Sequence, residues 1–225
     1  MKKVPLRRPK VVIFDIDKTL TEHNSWYELT EALHGDPVLH AELYVQYRQG
    51  VISYEQARSG LMAMLTQEGK RPISRKELKD IFFGVSLRPE AIATCRELQD
   101  RGYTLCLISS SIDVFVEVVA RRLGIEHWYA NSVFQFDAND NWIDFQYNKD
   151  EAGLKVKQLE SFLEDQGLSV EDAIAIGDGD SDVELFKVIP GVAVHSDYDH
   201  LIQLAWEELK YLPKLTQLLE SLPVA

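Results

Sequence analysis

Asp15 and Asp17 stand two residues apart, directly after the apolar run Val11-Val12-Ile13-Phe14. A buried parallel strand there would deliver both carboxylates to its C-terminal edge, and the period-two alternation of strand side chains puts them on one face. A pair placed this way suits chemistry at phosphorus, one carboxylate acting as a covalent nucleophile and the other handling a proton. Strand ends are also where open α/β sheets bind their ligands. Alone, Asp15-Ile16-Asp17-Lys18-Thr19 fits an acidic turn or a helix cap equally well, so the chemistry depends on what later segments add.

A nucleophilic Asp15 needs donors for phosphoryl oxygens, a cation to offset accumulating charge, and further oxygen ligands. Ser109-Ser110-Ser111 follows Leu105-Cys106-Leu107-Ile108, setting hydroxyls and small residues at a strand end where backbone N–H groups can approach a phosphate. Ser111 is expected to cap the next helix. Lys155, with Lys157 as competitor, lies near the start of the helix before the run Ala173 to Ile176, from which an ammonium can reach over that strand's end. Gly177-Asp178-Gly179-Asp180-Ser181-Asp182 comes next, its glycines bending the backbone and its carboxylates favouring a hard cation, Mg²⁺ first. Singly, these are turn serines, a solvated lysine and an acidic turn.

The elements that must hold these groups are short apolar runs at Val11 to Phe14, Leu105 to Ile108, Ala173 to Ile176 and Val192 to Val194, alternating with helical patterns. Helices are expected over Pro89 to Arg101, Ile112 to Leu123 and Leu154 to Gln166, each stopping at a glycine suited to a left-handed C-cap. The alternation makes a doubly wound α/β fold with a parallel sheet. A hairpin interrupts it, Val133 to Phe136 and Trp142 to Phe145 flanking Asp137 to Asn141. Residues 22–86 form four helices with no strand, marked by capping-box spacings at Ser25/Glu28, Ser53/Gln56 and Ser74/Glu77 and by Asp36-Pro37. This divides the chain into a discontinuous α/β core, 1–21 and 87–225, and a helical insertion, 22–86, placed to close over the sheet edge as a lid. From Tyr198 onward, helices are expected as packing elements.

With 225 residues, 45% of them hydrophobic, the chain can build a sizeable core. Its 36 acidic against 24 basic residues, net charge −12, argue against nucleic acid or an anionic membrane as partner and fit a small-molecule role, which the carboxylate pair would make a small-molecule phosphate ester. Cys95 and Cys106 are too few for a disulfide framework, which points to a reduced, cytoplasmic setting. The basic start, Met1 to Pro9, reads as a flexible leader, and no stretch approaches the roughly 20 apolar residues of a bilayer span. A monomer or homodimer is expected. His23 and His195 have no partner spacing for a metal site.

In order and spacing, the four chemical segments resemble the haloacid dehalogenase superfamily over nearly the whole chain. The insertion resembles the C1 helical cap of its subfamily IB, the phosphoserine phosphatase-like group. The resemblance implies Asp15 as nucleophile, Asp17 as general acid and base, and Lys155 rather than Lys157 as the phosphate-neutralising lysine. It further implies Ser109 and the Ser110 backbone on the phosphate, Mg²⁺ held by Asp15, the Asp17 carbonyl and Asp178, Asp182 behind the metal or orienting Lys155, and Thr19 supporting the loop. Asp17 disfavours dehalogenation, which needs no proton for an alkoxide, and favours monoester hydrolysis. A phosphotransferase or mutase is the alternative, and a non-catalytic phosphate- or partner-binding protein a third reading.

The chain departs from the group where substrate is chosen. Asn24 stands where a glutamate contacts the substrate amino group, and Leu61 where an arginine grips its carboxylate, with Arg58 nearly one turn away. Asn24 and Arg58 are the candidate substrate contacts. Lys18 replaces a small residue. Trp26 fits either the core of the insertion, at helical spacing with Leu29 and Leu33, or an aromatic wall for substrate.

Overall fold

The computed structural model describes residues 2–5, 7–67 and 71–224. Its centre is β1 (Val11–Phe14), every residue of which is buried. Four helices follow: α1 (Ser25–Ala32), α2 (Pro37–Arg48), α3 (Tyr54–Thr66) and α4 (Arg75–Gly84). The remainder alternates as α5 (Pro89–Asp100), β2 (Thr104–Ile112), α6 (Asp113–Leu123), β3 (His127–Phe136), β4 (Trp142–Gln146), α7 (Glu151–Gln166), β5 (Ala173–Gly177), α8 (Val183–Val188) and β6 (Gly191–Val194). It closes with α9 (Asp199–Leu204), β7 (Glu207–Leu209) and α10 (Lys214–Glu220). Among the described residues, one sheet runs β4-β3-β2-β1-β5-β6-β7. All pairings are parallel except β3 with β4, so the doubly wound sheet and the hairpin are present.

Strand alternation sorts β1 onto two cores. Val12 and Phe14 pack with α5, α6 and the inserted helices, while Val11 and Ile13 pack with α7, α8 and α9. Leu29, Leu65, Leu78 and Phe82 of the inserted helices join the first cluster, so they share apolar packing with one face of the sheet. Capping boxes at Ser53/Gln56 and Ser74/Glu77 are complete, and Asp36 accepts from Val38 N at 2.9 Å ahead of Pro37. Gly124 and Gly167 end α6 and α7 in the left-handed conformation, φ 66° and 63°.

Several expectations need correction. Asn24, not Ser25, caps α1, because its side chain takes Trp26 N at 3.0 Å. Ser111 does not cap α6; the cap residue is Ile112, and Asp113 itself takes Val114 N at 2.8 Å and Phe134 N at 3.1 Å. Gly102 follows the last residues of α5 in the expected left-handed conformation, φ 88°, with Arg101 as the residue between. β7 interrupts the expected run of C-terminal helices and pairs with β6, a three-residue edge strand too short to carry a sequence pattern. The leader is tied down where it is described: Arg8 N donates to Pro223 O at 2.7 Å, and Arg7 and Arg8 pair with Asp172 and Glu220. Met1 and Leu6 lie outside the described residues. No described helix is long and apolar enough to cross a membrane.

Candidate active site

β1, β2 and β5 are neighbours at the middle of the sheet, and the acidic and serine segments leave from their C-terminal ends. Asp15 N still donates to Ile176 O at 2.9 Å, extending the ladder one residue past β1. Asp15 keeps the parity of Val11 and Ile13, so it points to the α7 face. Lys155, on the second turn of α7, meets it there. The Lys155 side chain is 1% exposed, and its ammonium donates to Asp15 Oδ1 at 2.8 Å and Asp182 Oδ1 at 2.7 Å. Burial opposes a charge on Lys155, but the two carboxylates outweigh it and hold the group protonated above its ordinary range.

Asp182 is brought in by the turn after β5. Its Oδ2 accepts from Asp178 N at 3.1 Å and Gly179 N at 3.3 Å. A Cβ on Gly177 would overlap this carboxylate, which is why the turn requires glycine at that position. Asp178 is fixed from both sides, its Oδ1 by Thr19 Oγ1 at 2.9 Å and its carbonyl by Ser196 Oγ at 2.6 Å. Carboxylate oxygens of Asp15, Asp178 and Asp182 lie within 4.8 Å of one another. Burial, then the neighbouring negative charges, push Asp178 and Asp182 upward even with Lys155 opposing. Three carboxylates therefore share one ammonium, and a hard all-oxygen cluster with this surplus of negative charge fits a divalent cation.

Asp17 lies just beyond β1 and faces the inserted helices. Ser25, the first residue of α1 and fully buried, donates to Asp17 Oδ1 from its backbone N at 2.9 Å and to Oδ2 from its hydroxyl at 2.8 Å. Its hydroxyl also contacts Ser111 Oγ. This is the place Ser111 takes instead of capping. Burial, then the Asp15 charge, raise Asp17 to about 7, into the range where a carboxyl both gives and takes protons. Lys18 adopts a left-handed conformation, φ 63°, and its carbonyl accepts from Arg88 Nη2 at 2.9 Å, turning the chain out of the strand toward the insertion.

At the end of β2 the pairing with β3 shifts register between Ser109 and Ile112. This irregularity lets the serine segment leave the ladder. Ser109 Oγ is buried and accepts from Ser111 N at 3.3 Å, while Ser110 Oγ is buried with no hydrogen-bond partner. Both residues line a cavity of about 400 Å³ together with Asp15, Asp17 and Asp178. Asn24, Trp26, Arg58 and Leu61 line its upper part, so every sequence candidate for substrate contact reaches the same space. Arg58, however, is committed to both carboxylate oxygens of Asp144 on β4, and Asn24 Oδ1 is spent on the α1 cap. Trp26 packs on Phe145 and Phe134, ring centroids 4.9 and 5.6 Å away, while also facing the cavity, which joins its two expected readings.

Sequence reasoning missed Ser25 as the group holding Asp17, and it missed Tyr47, Tyr54, Phe145 and Tyr147, which wall the upper cavity. The Ser25/Glu28 spacing points to a helix cap, a role that Asn24 takes in the structure. The aromatic residues come from α2, α3, β4 and the segment after it, so no local spacing relates them.

An α/β sheet with an acidic cluster, a buried lysine and serine hydroxyls converging on its C-terminal edge defines a hydrolase-type phosphate site. The chain belongs to the haloacid dehalogenase-like hydrolase family, whose model matches residues 12–187. The phosphoserine phosphatase of Methanocaldococcus jannaschii is 22% identical over 182 residues, covering 80% of this chain and 82% of that one. The phosphoserine phosphatases of Archaeoglobus fulgidus and Streptomyces coelicolor are longer, and the match covers 49% and 42% of their lengths. In fold it is similar to a HAD family hydrolase from Salmonella enterica serovar Typhi, TM-score 0.81 at 18% identity, covering 98% of this chain and 74% of that one. A phosphoserine phosphatase structure representing a phospho-aspartyl intermediate analogue aligns at TM-score 0.72 and 20% identity, covering 96% and 100%.

Proposed function

We propose that this hydrolase is an Mg²⁺-dependent phosphatase acting on a small organic phosphate monoester through an Asp15 phospho-enzyme. The observation that carries the reading is the buried Lys155 bridging Asp15 and Asp182 beneath the cavity. A binding protein has no need to bury a nucleophile, a lysine and a proton-handling Asp17 on one sheet edge. Asp15, the Asp17 carbonyl and Asp178 would hold Mg²⁺ with Asp182 behind them, and the chemistry supplied there is neutralisation of phosphoryl charge.

In the first half-reaction a carboxylate oxygen of Asp15 bonds to phosphorus as the bond from phosphorus to the ester oxygen breaks. Asp17 gives its proton to the departing alkoxide, and Ser109, the Ser110 backbone and Lys155 hold phosphoryl oxygens. In the second, water attacks phosphorus, Asp17 takes its proton, and the bond to Asp15 breaks to release phosphate. The inserted helices, residues 22–86, would act as a cap that excludes water over the core formed by 1–21 and 87–225. A cytoplasmic setting agrees with two unpaired, buried cysteines.

Phosphate release from a panel of monoesters, phosphoserine included, tests the reading with Mg²⁺ or EDTA and with Asp15→Asn as control. Release that needs Mg²⁺ and falls to background in Asp15→Asn is expected. Release that survives the substitution would overturn the phospho-enzyme.

A further inference from the structure

Resting on that phosphatase reading, we propose that the upper cavity selects a neutral leaving group bearing a flat apolar ring, so that preferred substrates are monoesters of ring-bearing primary alcohols rather than zwitterionic phosphoserine. The cavity, about 400 Å³, is larger than a serine moiety requires. Its walls are rings contributed by separate elements. Tyr54 and Tyr147 lie 6.2 Å apart between centroids and 20° from parallel, with Tyr47 edge-on at 6.1 and 6.5 Å from them. Trp26 and Phe145 continue the wall at 4.9 Å from each other. Rings at these separations offer edge and face contacts to a further ring, and burying their cavity-facing surface is favourable without any charged partner.

The charges around these rings are already engaged. A substrate carboxylate would look for a cation, but Arg58 is held by Asp144, and Arg48 by Asp180 at 3.2 Å and Glu151 at 3.5 Å. Lys18 belongs to the phosphate end, next to Asp17. A substrate ammonium would look for an anion or for ring faces, but Glu151 already takes the Tyr147 hydroxyl. Lys149 Nζ already stands 5.9 and 5.7 Å from the Tyr47 and Tyr54 ring centres. The carboxylate of phosphoserine would lose water without gaining an uncommitted cation in the upper cavity, whereas a neutral ring gives up no such hydration.

Ethyl phosphate and 2-phenylethyl phosphate share a primary alkoxide leaving group, so the ratio of their kcat/KM reads the ring alone. Wild type is expected to favour the phenylethyl ester by roughly 10- to 100-fold over ethyl phosphate and over phosphoserine. Tyr147→Ala and Tyr54→Ala should pull the ratio toward one, and Tyr54→Phe should retain it. Phe83→Ala, an exposed ring outside the cavity, should leave it unchanged. A ratio near one in wild type, or phosphoserine leading while the tyrosine substitutions change nothing, would overturn the ring preference and leave the phosphatase standing. Silence toward all three esters would overturn both.

Discussion

Beneath the cavity Asp15, Lys155 and Asp182 are almost completely buried, the lysine bonded to both carboxylates, whereas the rings above them, Trp26, Tyr47, Tyr54 and Tyr147, are half-buried and pack on other rings in stacked, tilted and edge-on pairs. The floor comes from strand ends in the middle of one sheet, where backbone ladders fix each position. The walls come from three inserted helices and the β4 segment, whose cavity-facing surfaces meet through side chains, while the chain between α3 and α4 joins the hairpin by backbone, Trp142 N donating to Ile73 O at 2.7 Å. The floor is thus built for one chemistry at fixed geometry. The walls define a shape, and shape there can change without disturbing the strands below. On the proposed reading, phosphate chemistry would reside in a region fixed by backbone ladders and substrate choice in one shaped chiefly by side-chain packing.

The largest effects should follow substitutions at the floor. Asp17→Asn is expected to lower kcat/KM by about 10²- to 10⁴-fold, and the loss should deepen as the leaving group becomes a poorer one. Equal losses for good and poor leaving groups would remove the proton-donor role from Asp17. Lys155→Met leaves buried carboxylates without their ammonium and should cost about 3–5 kcal/mol in urea unfolding under EDTA. Added Mg²⁺ should recover part of that loss. Unfolding that Mg²⁺ does not affect would argue against a cation among Asp15, Asp178 and Asp182.

Effects in the inserted helices should be smaller and of another kind. His40 on α2 is buried against Thr30 Oγ1 at 2.7 Å, and burial lowers it from 6.5 to about 4. Its folded-state pKa is depressed, so the neutral ring is the one the fold accommodates. That contribution is complete above pH 6.5 and is lost as pH falls toward 4. The stability difference between wild type and His40→Gln should therefore shrink over this window by about 1–3 kcal/mol. A difference independent of pH would mean that protonating His40 costs the fold nothing. Arg58→Ala breaks a pair whose side chains are 28% and 31% exposed and should change stability by less than about 1 kcal/mol. A larger loss would show that the cap and hairpin are held electrostatically rather than by Trp26, Phe134 and Phe145.

Ser25 shows where local reading stops. Ser25 with Glu28 satisfies a capping box, yet the structure gives the cap to Asn24 and turns Ser25 onto Asp17 and Ser111. Two adjacent residues can each cap, and the choice was made by a carboxylate eight positions away. Arg58 shows the same for charge, since its partner Asp144 lies on the hairpin, eighty-six residues along the chain. β7 was hidden because three residues on a sheet edge carry no periodicity.

By itself the sequence determined the strand ends and what they carry. Asp15, Asp17, Ser109, Lys155, Asp178 and Asp182 each sit beside a strongly apolar strand or a periodic helix, and a parallel sheet allows such strands few arrangements. Only the tertiary structure decided which rings face the cavity, which cations are already paired and what holds Asp17. Those outcomes depend on contacts between elements distant in the chain, where many side chains of similar size and polarity pack equally well until the fold selects among them.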